Sequence, residues 1–161
     1  MAATRMRHRA PPVPRDGREQ DFKPEGTMHK NEELVRTYFA AVARKDIDTM
    51  LSMLHDDFEY QNMPYDRRMT SKADKRKFFE WFTKGMTDYK LELKHVVADD
   101  RFVFHEGVEN YVKKGHRVAL PYCGVFEFKD GKITRQRDYF DARTIEKQLG
   151  MLTDEPVKKQ A

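Results

Sequence analysis

The apolar residues of this chain change their period once, near Asp88, and that change limits the folds open to it. Upstream, Leu34, Val35, Tyr38, Phe39 and Val42 recur at three- and four-residue spacing behind Asn31-Glu32-Glu33, the pattern of an amphipathic helix. Ile47, Met50, Leu51 and Leu54 mark a second, shorter helix, and Phe78, Phe79, Trp81, Phe82 and Met86 mark a third. The third follows Ser71-x-x-Asp74, a capping-box pattern with Asp in place of the usual Glu, and Gly85 lies near its end. Between the second and third helices, residues 58–62 read as a short strand. From Asp88 the period is two: Leu91, Leu93, His95 and Val97 alternate with Lys90, Glu92, Lys94 and Val96. Asp99-Asp100, Gly115 and Asp130-Gly131 then separate strands predicted over about 102–112, 117–128 and 132–140, and a short helix is predicted over 142–149. Helices followed by a run of consecutive strands specify an α+β fold. A sheet curved around the helix layer makes a cone with an apolar interior, a shape suited to small molecules.

Composition bounds the rest. The 161 residues are enough for one domain with a sizeable core, expected over residues 28–152. Residues 1–27 hold Pro11, Pro12, Pro14 and Pro24 among many charges, so they are expected to form a disordered N-terminal tail, and Met28 offers an alternative start. Residues 153–161 read as a polar C-terminal tail. No apolar stretch resembles a signal peptide or spans a membrane, so the expected location is cytoplasmic. The net charge is +4, and half of it falls in residues 1–27, too little elsewhere to argue for nucleic acid as a partner. The single cysteine, Cys123, excludes an intrachain disulfide and a multi-cysteine metal site. The six histidines are dispersed without ligand spacing, so no metal is expected.

Alternation sorts the strand residues into faces. Val103, His105, Gly107, Glu109 and Tyr111 share one face, as do Val118, Leu120, Tyr122, Gly124, Phe126 and Phe128 on the next strand. Gln136, Asp138 and Phe140 share a face on the last strand, and Phe58, Tyr60 and Asn62 on the short one. If these faces all line the cone, its apolar walls carry two carboxyls, a phenol and an amide. Carboxyls buried away from cations have raised pKa values, which suits a general acid at neutral pH. A second carboxyl that stays ionised is a base, and Tyr with Asn can hold a water beside it. The alternative is that Glu109 and Asp138 face solvent or pair with Arg101, Arg135 or Arg137, as charged strand residues usually do.

The segments YQNMP (60–64), HEGVENY (105–111) and GVFEFKDGKITRQRDYFD (124–141) resemble the limonene-1,2-epoxide hydrolase family, within the NTF2-like or SnoaL-like superfamily. The resemblance covers about residues 31–148. It implies an NTF2-like cone, a curved mixed sheet around N-terminal helices with an internal pocket. It also implies a cofactor-free acid–base enzyme for a small hydrophobic substrate, and a homodimer formed through the outer sheet face, where Phe102 and Phe104 lie. By the same resemblance Asp138 is base to a water held by Tyr60 and Asn62. That water attacks an epoxide carbon in one step while Glu109 protonates the epoxide oxygen. His105, Gly107, Tyr111, Leu120, Tyr122, Gln136 and Phe140 are the candidate substrate-binding residues.

This sequence departs from the family in two places. The family's Arg-x-Asp pattern reads Gly107-Val108-Glu109 here, so the acid is kept, one methylene longer, and the bridging arginine is lost. Without that cation two neighbouring carboxyls tend to share one proton. Gly107 could instead widen the pocket, and His105 is either a replacement positive group or a wall residue. Gln136 stands where the family has a bulky aromatic. A widened, tyrosine-rich pocket leaves a second reading open: an isomerase, cyclase or carbon–carbon lyase on an aryl substrate, such as a lignin-derived diarylpropane, using the same carboxylates. A non-catalytic binding protein is the third.

Overall fold

A computed structural model describes residues 28–70 and 72–152, without the side chains of 72–74. The expectations for the two tails, and for a capping box of Ser71 and Asp74, lie outside the described residues. The chain runs α1 (Lys30–Arg44), α2 (Ile47–Ser52), β1 (Leu54–Asn62), a 3-10 turn (Met63–Tyr65) and β2 (Arg67–Met69). It continues with α3 (Lys72–Thr83), β3 (Met86–Ala98), β4 (Phe102–Lys113), β5 (His116–Lys129), β6 (Lys132–Phe140) and α4 (Ala142–Gln148). The six strands form one sheet in the order β2-β1-β6-β5-β4-β3. β1 runs parallel to β6, and every other pair is antiparallel. The architecture is therefore α+β with a mixed sheet, as expected, plus the 3-10 turn and β2, which have no apolar period of their own to announce them.

α1 buries Val35, Tyr38, Phe39, Ala41 and Val42 and packs over β3 and β4. Its first turn is pinned by Asn31, whose Nδ2 donates to the Asp99 carbonyl at 2.8 Å in the β3–β4 turn. The β5–β6 hairpin is closed by Asp130 and Gly131, both with positive φ (51° and 73°), the tight geometry that Asp-Gly favours.

Three irregularities in the ladder decide what faces the interior. A one-residue slip in pairing moves every later side chain to the opposite face. In β6 the register shifts between Ile133 and Arg135, so Thr134 is the extra residue. Ile133 is fully buried; without the bulge its parity would carry Arg135 and Arg137 inward and turn Asp138 out. With it, Gln136, Asp138 and Phe140 face the interior. In β3 a shift between Thr87 and Lys90 turns Tyr89 inward, opposite Tyr111. A second shift at Lys94 corrects the alternation read from the sequence. Leu91 and Leu93 share a face, but beyond the bulge Val96 and Ala98 replace His95 and Val97 on it, and Val97 is 70% exposed.

His105 pairs with Gly124 across β4 and β5, and its ring occupies the space a side chain at 124 would need. Gly124→Ala is expected to cost about 1–3 kcal/mol of stability in urea denaturation. Combined with His105→Ala it should cost less than the two single changes added together. A Gly124→Ala protein as stable as the parent would contradict this packing.

Candidate active site

Adjacent strands deliver the polar residues of the inner face to one place. Register sets Asn62 beside Asp138 and Tyr60 beside Gln136 across β1 and β6, and Glu109 beside Leu120 across β4 and β5. Tyr60 donates its phenol proton to Asp138 Oδ2 at 2.9 Å, and Asn62 Nδ2 donates to the Tyr60 oxygen at 3.3 Å. Gln136 Nε2 donates to Asp138 Oδ1 at 3.1 Å, while Gln136 Oε1 accepts from the Tyr38 hydroxyl at 3.2 Å. On the facing strands Tyr89 donates to Glu109 Oε1 at 2.7 Å, leaving the other carboxyl oxygen free of that bond. Two buried polar atoms in this group have no partner among the described residues: Asn62 Oδ1 and the Tyr122 hydroxyl. Buried orphans of this kind are uncommon and point to something else that bonds them.

These groups line an inner cavity of about 80 Å³. Its apolar wall includes Phe39, Phe78, Phe79, Leu120 and Phe140. Tyr60, Asn62, Phe78, Phe82, Tyr111, Phe140 and Ile145 also line an outer chamber of about 440 Å³. The inner volume suits a reacting group and the outer one suits the body of a ligand.

Burial governs the charges. Loss of solvent pushes Glu109 from its usual 4.5 up to about 7, and the neighbouring Asp138 charge adds to this, against the hydrogen bond from Tyr89. Burial likewise pushes Asp138 from 3.8 to about 6, opposed by the donors Gln136 and Tyr60. Asp138 is therefore the more readily ionised of the two, since an Asp starts lower, two donors oppose its burial, and its charge raises Glu109. The phenols of Tyr38, Tyr60, Tyr89 and Tyr122 are all raised by burial and remain protonated donors near neutral pH.

The structure brings together Asp138, Glu109, Tyr60, Asn62, Tyr111, Leu120, Tyr122, Gln136 and Phe140. Two expected wall residues, His105 and Gly107, do not line the cavity. His105 sits edge-on against Phe39 and Tyr122 and packs on Phe126, with both ring nitrogens unpartnered. Burial pushes its pKa from 6.5 down to about 4, so it supplies no positive group at neutral pH. Gly107 opens no extra space either, because a Cβ there would collide with the Glu92 carbonyl of β3. The place of the family's arginine is thus closed by backbone. The sequence reading missed Tyr38, which looked like core, and Tyr89. Extending the alternation of Leu91 and Leu93 back by one step would have found Tyr89.

A SnoaL-like domain family matches residues 35–136. The chain belongs to that family. Epoxide hydrolase EphG of Mycobacterium tuberculosis is 31% identical over 119 residues, which cover 71% of this chain and 76% of that protein. The solved structure of an M. tuberculosis LEH-like epoxide hydrolase matches at a TM-score of 0.66 and 27% identity, over 76% of this chain and 90% of that one. These matches bear out the resemblance to the epoxide hydrolases. A SnoaL-like candidate polyketide cyclase from Shewanella putrefaciens shares the fold, with a TM-score of 0.71 at 20% identity over 78% of this chain and all of the other.

The raised carboxyls have a consequence for stability. A Glu109 that holds its proton more tightly when folded contributes most below its usual value of 4.5, and that contribution is lost as the pH rises through about 7. Stability should therefore fall by roughly 1–3 kcal/mol between about pH 5 and about pH 8. In Glu109→Gln the fall should be markedly smaller. Equal slopes for the two proteins in denaturant titrations across that range would show that Glu109 is ionised at no cost.

Proposed function

We propose that this chain hydrolyses an epoxide by direct attack of water. The observation that carries the reading is the unpartnered Asn62 Oδ1 close to the Tyr60–Asp138 hydrogen bond. A water there gives one proton toward Asp138 and the other to Asn62 Oδ1, which leaves an oxygen lone pair for the substrate. As its oxygen bonds to an epoxide carbon, the ring C–O bond breaks. Asp138 takes the water proton and Glu109 delivers its own proton to the ring oxygen, giving a vicinal diol. Exchange with solvent then returns a proton to Glu109 and removes one from Asp138. The likeness to EphG and to the LEH-like hydrolase supports this reading.

The unpartnered Tyr122 hydroxyl favours a second reading on the same groups. Asp138 would remove a carbon-bound proton, and Tyr122 would stabilise the enolate of an isomerase or cyclase substrate. We also propose a homodimer through the outer sheet face, where Phe104 is exposed beside the partly exposed Phe102. Sedimentation at equilibrium tests that assembly, and a monomer at tens of micromolar, an order-of-magnitude working range, would contradict it.

The reaction is tested with panels of epoxides and of aryl ketones in heavy-oxygen water. Hydrolysis by this route puts one heavy oxygen into each diol in a single turnover, and Asp138→Asn should slow turnover by about 10²–10⁴-fold. Diol lacking the label under single-turnover conditions would contradict direct water attack. Turnover of ketones alone would move the assignment to the second reading.

A further inference from the structure

The outer chamber has a chemistry that the reacting groups do not use. Its lining includes Arg67, Lys113 and Lys114 against one carboxylate, Glu146. That carboxylate already accepts from the Tyr65 hydroxyl at 3.0 Å. None of the three cations forms an ion pair within the described residues, whereas Arg68 next door pairs with Asp66. Lys113 points into the chamber from the same face of β4 as Glu109, four residues further on. The rise of a strand puts it about 13 Å from that acid. Its Nζ lies 4.8 Å from the centre of the Trp81 ring and donates to the Phe82 carbonyl at 2.9 Å. Arg67 covers the same indole at 5.1 Å. Trp81 is 54% exposed, so two cations flank an aromatic rim that opens to solvent. Burial and the neighbouring Lys114 both lower the Lys113 pKa, the direction expected of a cation that lacks a counter-charge.

We propose that the substrate carries a carboxylate, or an equivalent anionic end group, at the end remote from the reacting group. Arg67, Lys113 and Lys114 bind that group, while the apolar body lies between them and the inner cavity. The proposal rests on the reading that Glu109 and Asp138 mark the reacting end. The cations line the chamber and carry no counter-charge among the described residues, and Lys113 stands a fixed distance along β4 from the acid. A neutral terpene-like substrate would leave them uncompensated. An anionic tail would gain charge-assisted hydrogen bonds at the rim of a low-dielectric chamber.

Trp81 is the only tryptophan in the chain, so its emission reports occupation of the chamber. Decanoate and decanol serve as an unreactive pair of probes. Decanoate is expected to bind about tenfold or more tightly than decanol, as charged hydrogen bonds allow. That preference should shrink with added salt and fall to near parity in Arg67→Gln/Lys114→Gln. These two residues are chosen because Lys113 also ties β4 to the end of α3, so its loss could disturb the fold. Equal binding of the two probes, or a preference that survives the double variant, would overturn the proposal. Turnover of an alkanoate with a terminal epoxide, compared with its methyl ester, separates the two claims. Probe preference without diol from either compound would sink the hydrolase reading and leave the anion site standing. Diol from both at one rate, without probe preference, would do the reverse.

Discussion

Two buried carboxyl groups share one cavity with no cation among its described lining residues, and the chemistry available to this site follows from that. Glu109 feels burial, the Asp138 charge and one neutral donor, and Asp138 feels burial and two neutral donors. Such a pair cannot readily hold two negative charges, so near neutral pH it keeps one proton. Tyr60 and Gln136 both donate to Asp138, whereas Tyr89 alone donates to Glu109, so the proton rests on Glu109. Burial, the Asp138 charge on Glu109 and these donors together set an acid and a base without an arginine. The backbone of β3 closes the place where an arginine would stand, so the substitution at Gly107 and the proton sharing belong together.

The fold serves this arrangement through its irregularities more than through its regular ladder. Thr134 turns Asp138 inward and keeps Arg135 and Arg137 out, where they bond Glu59 and Glu127. The bulge after Thr87 turns Tyr89 inward toward Glu109. Without the first the cavity would lose its base and gain cations, and without the second its acid would lose its donor. Helices α1 and α3 contribute Tyr38, Phe39, Phe78 and Phe79, which complete the wall whose burial of the two carboxyls raises both their values. Beside this small reacting cavity lies a larger outer chamber with basic residues in its lining, and Phe78 lines both.

Much of this was legible in the sequence because period and parity are local signals. The change of period at Asp88 gave the α+β order, and alternation put Tyr60, Glu109, Leu120 and Asp138 on one face. The bulges were not legible, since an extra residue leaves no mark on composition. That is why the alternation past Leu93 was misread, whereas Tyr89 was within reach of the alternation of Leu91 and Leu93. The place of His105 was also hidden, because its role depends on Gly124, a partner on another strand. The outer chamber could not be read because Arg67 and Trp81 lie far from Lys113 in sequence and meet only when α3 and β2 fold against the open end of β4.

The central claim is that one proton is divided unequally between the two carboxyls, and it can be observed without any substrate. Side-chain carboxyl shifts of Glu109 and Asp138, followed by NMR across pH, report it directly. The expected result is two coupled steps, near 6 and near 7, with Asp138 losing its proton first. Both carboxyls fully ionised by about pH 5, in the ordinary range for exposed acids, would contradict it.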